Sequence, residues 1–310
     1  MLVIKADELD DFDAGKGTSV TIGKFDGVHL GHRKLIDETV RYARYAGLLS
    51  CVITFKNAEN TGGDGMRLLT TFEEKCHIME KSGVDVLVLL EFTEVLKNMS
   101  AADFIDFFLG DMLKVSSVTV GEDFCFGKDR EGSVKDLSVA QMEYGYNLTV
   151  MKKEEADGDQ ISSTRIRNLI KEGNLKEAND LLGYDYLIEG ITESGKRKGR
   201  EIGVPTVNLY PPPEKLIPPF GVYASKAVLE GKEYNAVTNI GVCPTVIDNK
   251  KISVETHLLK FTPEKETYGE KFYVYLHDHI REEIKFDSVN RLYDQMQKDI
   301  QEAEKLLAKP

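Results

Sequence analysis

Up to residue 151 the chain alternates short apolar runs, at residues 20–22, 48–55, 84–90, 115–120 and 148–151, with stretches of helical period. The runs LLSCVITF (48–55) and VDVLVLL (84–90) are apolar on both faces, as strands of a buried parallel sheet are. Between the first two runs Leu35, Ile36, Thr39, Val40 and Ala43 recur at helical spacing, and Gly47 stands where that helix would stop. Strand, helix, strand is a βαβ unit. Its repetition predicts a parallel sheet with helices on both faces. Residues 71–82 and 101–112 read as further helices, the second carrying Phe104, Ile105, Phe107 and Phe108. From residue 186 the period changes. Segments 186–191, 222–229, 233–241, 252–259 and 271–277 read as short antiparallel strands at the spacing of a small barrel. A helix over 289–307 comes next, with Val289, Leu292, Met296 and Ile300 as its apolar stripe. The change of period predicts two domains, 1–183 and 184–310.

The 310 residues suffice for two domains with cores of their own. A net charge of −12 disfavours nucleic acid and anionic membrane as partners, but not a small anionic ligand in a local basic pocket. Cys51, Cys76, Cys125 and Cys243 form no CxxC pair and read as small apolar residues of a reducing compartment. No run reaches the ~18 apolar residues of a membrane span, and the acidic start is no signal peptide. The expected location is the cytoplasm; nothing in the sequence fixes the oligomeric state.

Four stretches carry chemistry. In TIGKFDGVHLGH (21–32), Gly23, Gly27 and Gly31 permit sharp turns and close approach, and His29 and His32 share a face if a helix starts there. Free N–H groups at such a helix start suit phosphate. GEDFCFGKDREG (121–132) comes after a strand and brings Lys128 and Arg130 beside two glycines. ISSTRIR (161–167) is an N-cap signature with Arg165 and Arg167 in the first turn, where a cation opposes the helix dipole unless it has an anionic partner. It is either a capped helix or a phosphate site. In GKRKGREIGVPTVN (195–208) a basic cluster precedes Thr206 and Asn208, which share a side in an extended segment and offer neutral oxygens suited to Mg²⁺ when phosphates supply the charge. There is neither a P-loop nor a dinucleotide-binding G-x-G-x-x-G.

GKFDGVHLGH, GEDFCFGKDREG and ISSTRIR, in this order, resemble the adenylyltransferase module of bacterial bifunctional riboflavin kinase/FAD synthetases. GREIGVPTVN, PPFGVYA, NIGVCPT, SVETHLLKF, TYG and IREEIKF resemble the riboflavin kinase module of the same enzymes. The resemblance implies an α/β nucleotidylyltransferase-like (Rossmann-like) parallel-sheet domain, then a small antiparallel β-barrel with a C-terminal helix. Riboflavin, FMN, FAD and ATP would be the ligands and Mg²⁺ the cofactor.

Residue by residue, the resemblance implies that His29 and His32 bind ATP phosphates and stabilise the transition state, with Gly23, Phe25, Asp26 and Gly31 beside them. Asp123, Phe126 and Gly127 would line the nucleotide and flavin pocket, and Ser162, Ser163, Thr164 and Arg165 would hold the leaving pyrophosphate. In the second domain Gly195, Lys198, Gly199, Arg200 and Gly203 would cradle ATP phosphates, and Thr206 and Asn208 would bind Mg²⁺. Gly221, Val222, Tyr223 and Arg281 would border the flavin, and Glu255 would be the general base.

The residue types suit these roles. An FMN phosphate is already anionic at pH 7 and needs no base to attack ATP. A ribityl hydroxyl is a poor nucleophile and gains from a positioned carboxylate. One departure stands out: the family's T-F-x-P-H-P continues here as Thr54-Phe55-Lys56-Asn57-Ala58-Glu59, without either proline or the histidine. The competing expectation is therefore a kinase whose first domain binds nucleotide without useful adenylyl transfer.

Overall fold

The fold is described from a computed structural model for residues 1–56, 67–193, 204–243, 251–261 and 268–308. The chain forms two compact units. One comprises Met1–Leu68 and Lys75–Ser163, the other Leu69–Glu74 and Thr164–Pro310.

The first unit holds a six-stranded, all-parallel sheet. Its strands are β1 (Leu2–Lys5), β2 (Thr18–Ile22), β3 (Leu49–Lys56), β4 (Val86–Glu91), β5 (Val115–Gly121) and β8 (Asn147–Met151), in the order β1-β4-β3-β2-β5-β8. Two short strands, β6 (Cys125–Phe126) and β7 (Gly132–Ser133), pair with each other, as do β9 (Glu155–Ala156) and β10 (Asp159–Gln160). Ile4, Val20, Ile22, Cys51, Ile53, Val86, Val88, Leu90, Val115, Val118 and Val120 are the sheet's buried contribution to the core on one face.

Helix α1 (Leu30–Ala46) buries Ile36, Thr39, Val40 and Ala43, and ends at Gly47 in the left-handed conformation, φ 67°. Further helices before Ser163 are α2 (Phe72–Lys81), α3 (Glu94–Asn98), α4 (Ala101–Phe104) and α5 (Val134–Tyr144). The chain leaves β2 toward β3 and β4 but later enters β5 on the other side of β2. The crevice between β2 and β5 is thus a topological switch point, where such sheets bind ligands beyond their C-terminal strand ends.

Two sequence expectations need correction. The helix over 101–112 is α-helical only for Ala101–Phe104 and widens to a π-helix over Ile105–Met112. The second strand begins at Thr18, not Val20, and β1 precedes it.

In the second unit, α6 (Ser163–Glu172) and α7 (Leu175–Leu182) lead into β11 (Tyr186–Ile191). With β12 (Val207–Leu209), β13 (Gly221–Leu229), β14 (Lys232–Cys243), β15 (Lys251–Leu258) and β16 (Lys271–Arg281) it forms an antiparallel sheet ordered β11-β16-β13-β14-β15-β12. The sheet curls until the Glu193 N–H donates to the Asn208 carbonyl at 2.8 Å, joining its two ends by one bridge. A chain of buried hydroxyls, Ser225–Thr238–Thr256 (2.7 and 2.9 Å), crosses three strands.

Helix α8 (Val289–Leu307) packs on β13, β14 and β16. Lys215 is fully buried and donates to Glu74 Oε2 (2.6 Å) and to the carbonyls of Leu69 (2.6 Å) and Leu187 (2.7 Å). These bonds tie Leu69–Glu74 to the barrel.

Candidate functional site

Two cavities, one in each unit, gather half of the candidate residues within the described part of the chain.

The first, of about 260 Å³, lies beyond the C-terminal ends of β2, β5 and β8. His29, Gly31 and His32 line it from the β2–α1 turn, Gly121 and Asp123 from the end of β5, Lys153 and Glu154 from beyond β8, and Ser162 and Ser163 from the segment entering α6. His29 is the N-cap of α1, its Nδ1 accepting the His32 N–H at 3.4 Å. The two imidazoles stack at 3.6 Å between centroids, and the Phe25 ring meets His32 edge-on. A Cβ at position 31 would stand 3.3 Å from His29, so glycine there leaves room for the ring.

Burial lowers His29 to about 4 and holds His32 well below the usual histidine range, with the charges of His29 and Lys75 acting the same way. Both rings are therefore neutral hydrogen-bonding groups at pH 7. An incoming phosphate would favour their protonated forms.

The other expected residues of this site have different surroundings. Phe25 is buried beneath the turn rather than lining the cavity. The Asp26 carbonyl accepts the Ser163 hydroxyl at 2.9 Å. Asp123 pairs with Lys153 at 2.8 Å. Phe126 packs into the core against Phe104 and Phe124. Gly127, at φ 72°, lies where a Cβ would come 2.8 Å from the Ala101 backbone nitrogen. Thr164 and Arg165 belong to the second unit, and the Arg165 guanidinium pairs with Glu177 at 3.0 Å. The anionic partner that a first-turn cation requires is thus supplied within the chain.

The second cavity, of about 270 Å³, lies between one face of the curled sheet and α8. Val222, Asn239, Glu255 and Arg281 line it, joined by Thr206 and by Met296 and Asp299 of α8. The register explains the grouping. Asn208 faces Glu255, Glu255 faces Asn239, Asn239 faces Val222 and Val222 faces Arg281 across successive strand pairs. Directly opposed residues share a face of the sheet. His257 Nδ1 is 2.8 Å from the Pro205 carbonyl, fixing the segment that carries Thr206.

Gly221 is required by packing, because a Cβ there would meet the Arg281 carbonyl at 2.6 Å. Tyr223 is fully buried, its hydroxyl donating to the Pro219 carbonyl, and does not line the cavity. The positions Gly195, Lys198, Gly199, Arg200 and Gly203, and the departure at Asn57–Glu59, lie outside the described residues.

A family model for FAD synthetase matches residues 12–165, and one for riboflavin kinase matches residues 182–307. The bifunctional riboflavin kinase/FMN adenylyltransferase of Listeria monocytogenes is 36% identical over 294 residues, covering 94% of this chain and 92% of that protein. The chain belongs to the bifunctional riboflavin kinase/FMN adenylyltransferase family. The Bacillus subtilis and Escherichia coli K12 members are each 35% identical; the matches cover 92% of this chain in both cases, and 90% and 91% of those proteins. A crystal structure from Streptococcus pneumoniae, described as a macrolide-efflux protein, matches with a TM-score of 0.82 at 29% identity, over 98% of this chain and 99% of that one. Among the described residues no helix here is long and apolar enough to cross a membrane.

Within this family member, some residues around the cavities escape sequence reasoning. Asp299 of α8, nearly buried, receives Arg281 through three contacts of 2.7–3.2 Å and also accepts from Gln295. Its carboxylate interrupts the apolar stripe of α8, and that interruption was the available signal. Asn239 joins the second cavity only through strand register, which spacing along one strand does not reveal, whereas His257 stands two residues from Glu255 on β15 and so shares its face.

The residue types also fit Mg²⁺. Thr206 lines the cavity with Glu255, and Asn208, which is buried and does not line it, faces Glu255 across β12 and β15. Two neutral-oxygen residues thus accompany a carboxylate, the hard donor types such an ion takes. Among the described residues no cluster of three or more His, Cys, Asp or Glu could hold a metal by itself. Phosphate oxygens would have to complete the coordination, as is usual for this ion.

Proposed function

We propose that this chain phosphorylates riboflavin with ATP to give FMN, and transfers AMP from a second ATP to FMN, releasing pyrophosphate and FAD. The observation that carries this reading is that two family models fall on separate stretches of one chain, each stretch having a cavity with the residue types its reaction needs. Residues 1–183 would carry the adenylyl transfer and 184–310 the kinase.

In the kinase site Glu255 takes the proton of the ribityl hydroxyl as its oxygen attacks the γ-phosphorus of ATP and ADP leaves. Val222 and Arg281 flank the flavin, and the Arg281–Asp299 pair holds α8 against that side. Thr206 and Asn208 would hold Mg²⁺, which neutralises phosphate charge when bound. In the adenylyl-transfer site the FMN phosphate attacks the α-phosphorus directly. His29 and His32 donate N–H groups to the phosphate oxygens, Ser162 and Ser163 receive the pyrophosphate, and no base is required.

The test is direct. Purified protein is given ATP, Mg²⁺ and either riboflavin or FMN, and the flavins are separated. FMN from riboflavin and FAD from FMN are expected. FMN formation without FAD would instead support a kinase with a silent first domain.

A further inference from the structure

We infer that Lys75 is a positioning residue for adenylyl transfer, its ammonium clamping the turn that presents His29 and His32. The inference rests on the reading of the histidine cavity as the adenylyl-transfer site. Lys75 lies on α2 and is only 7% exposed. Its Nζ donates to the Lys24 carbonyl at 2.7 Å and to Thr54 Oγ1 at 3.1 Å, and Thr54 Oγ1 donates to the same carbonyl at 3.2 Å. The Lys24 carbonyl therefore accepts two bonds, one charge-assisted, at the point where the chain leaves β2.

The backbone beyond that carbonyl is strained. Phe25 and Val28 have φ of 48° and 37°, and neither is glycine. Left-handed backbone at β-branched and bulky residues is costly and persists only where the surroundings over-determine it. Both side chains are buried, and the Val28 N–H closes the turn on the Phe25 carbonyl at 3.3 Å. Fixing the Lys24 carbonyl fixes the peptide plane that sets φ of Phe25. The Phe25 ring then abuts His32, and His32 stacks on His29.

A lysine serves only to satisfy a carbonyl in many proteins, yet here burial is costly enough to lower the ammonium to about 8. A neutral side chain could fill that space without the penalty. The cation is explained if the turn has to be held against its own strain.

The test uses the full-length chain with Lys75→Met and Thr54→Val, and two readouts. The first is steady-state FAD formation from FMN, with riboflavin phosphorylation as an internal control. Lys75→Met is expected to lower kcat for FAD roughly 100-fold, as an ångström-scale misplacement does, with KM for ATP moved far less and FMN formation unchanged. The second is the NMR titration of the His29 ring, which should move from about 4 toward the ordinary 6.5 as the turn relaxes. Should Lys75→Met unfold the first unit, Thr54→Val removes one acceptor of the ammonium and one donor to the Lys24 carbonyl, keeps the cation and carries both readouts. Unchanged kcat and an unchanged His29 titration in a folded variant would overturn the clamp. Equal FAD formation by wild type and His32→Ala would instead overturn the site assignment beneath it.

Discussion

Asn208 and Glu255 face each other across the β12–β15 pair, so a neutral amide and a carboxylate sit side by side on one face of the curled sheet. The amide suits an ion shared with phosphate, and the carboxylate suits a proton leaving an alcohol. Asn208→Ala should raise the Mg²⁺ concentration for half-maximal riboflavin phosphorylation by at least about tenfold. FAD formation from supplied FMN should keep its wild-type Mg²⁺ dependence. A metal titration of each activity distinguishes these outcomes, and an equal shift in both would remove Asn208 from the kinase site.

Lys215 and Glu74 form an ion pair in which both side chains are 0% exposed. Removing one partner leaves the other charge buried alone, which costs about 3–5 kcal/mol. Lys215→Met should therefore lower the urea midpoint of the second unit sharply. The double variant Glu74→Leu/Lys215→Met should recover the part of the loss that comes from the unpaired charge. It should not recover the part from the Leu69 and Leu187 carbonyls and the Thr71 and Glu189 N–H groups, which lose their partners. Strictly additive losses in the double variant would contradict this account.

His29 makes stability pH-dependent. Its folded value is about 4 against 6.5, so between those pH values the unfolded chain binds a proton that the folded chain does not. Stability is complete above 6.5 and is lost as pH falls through 4, by roughly 3 kcal/mol from this residue. Urea unfolding of the first unit at pH 7 and pH 4 should show that difference in excess over His29→Gln. Equal pH dependence in both proteins would mean that the imidazole is not buried in its neutral form.

Much of this molecule is legible in its sequence. The two-sided apolar runs at 48–55 and 84–90 became adjacent central strands, and the alternating segments after 186 became the curled antiparallel sheet. The features that stayed hidden were polar or distant in sequence. Thr18 and Ser19 are fully buried at the start of β2, yet their hydroxyls interrupt an apolar pattern. The π-helix over Ile105–Met112 leaves no trace in periodicity, since its first residues repeat as an α-helix would. At the sites, His29 and His32 were recognisable from spacing. Lys75 and Asp299 were not, because helix packing brings them in from 18 to 51 residues along the chain from Arg281, Thr54 and Lys24.

The most direct measurement is product analysis of Glu255→Gln and His32→Ala in the full chain, each given ATP with riboflavin and, separately, with FMN. Glu255→Gln should lose FMN formation by at least about 100-fold while still converting supplied FMN to FAD. His32→Ala should form FMN at the wild-type rate and fail to make FAD. Loss of both activities in either variant, with the fold intact, would contradict two independent sites in one chain.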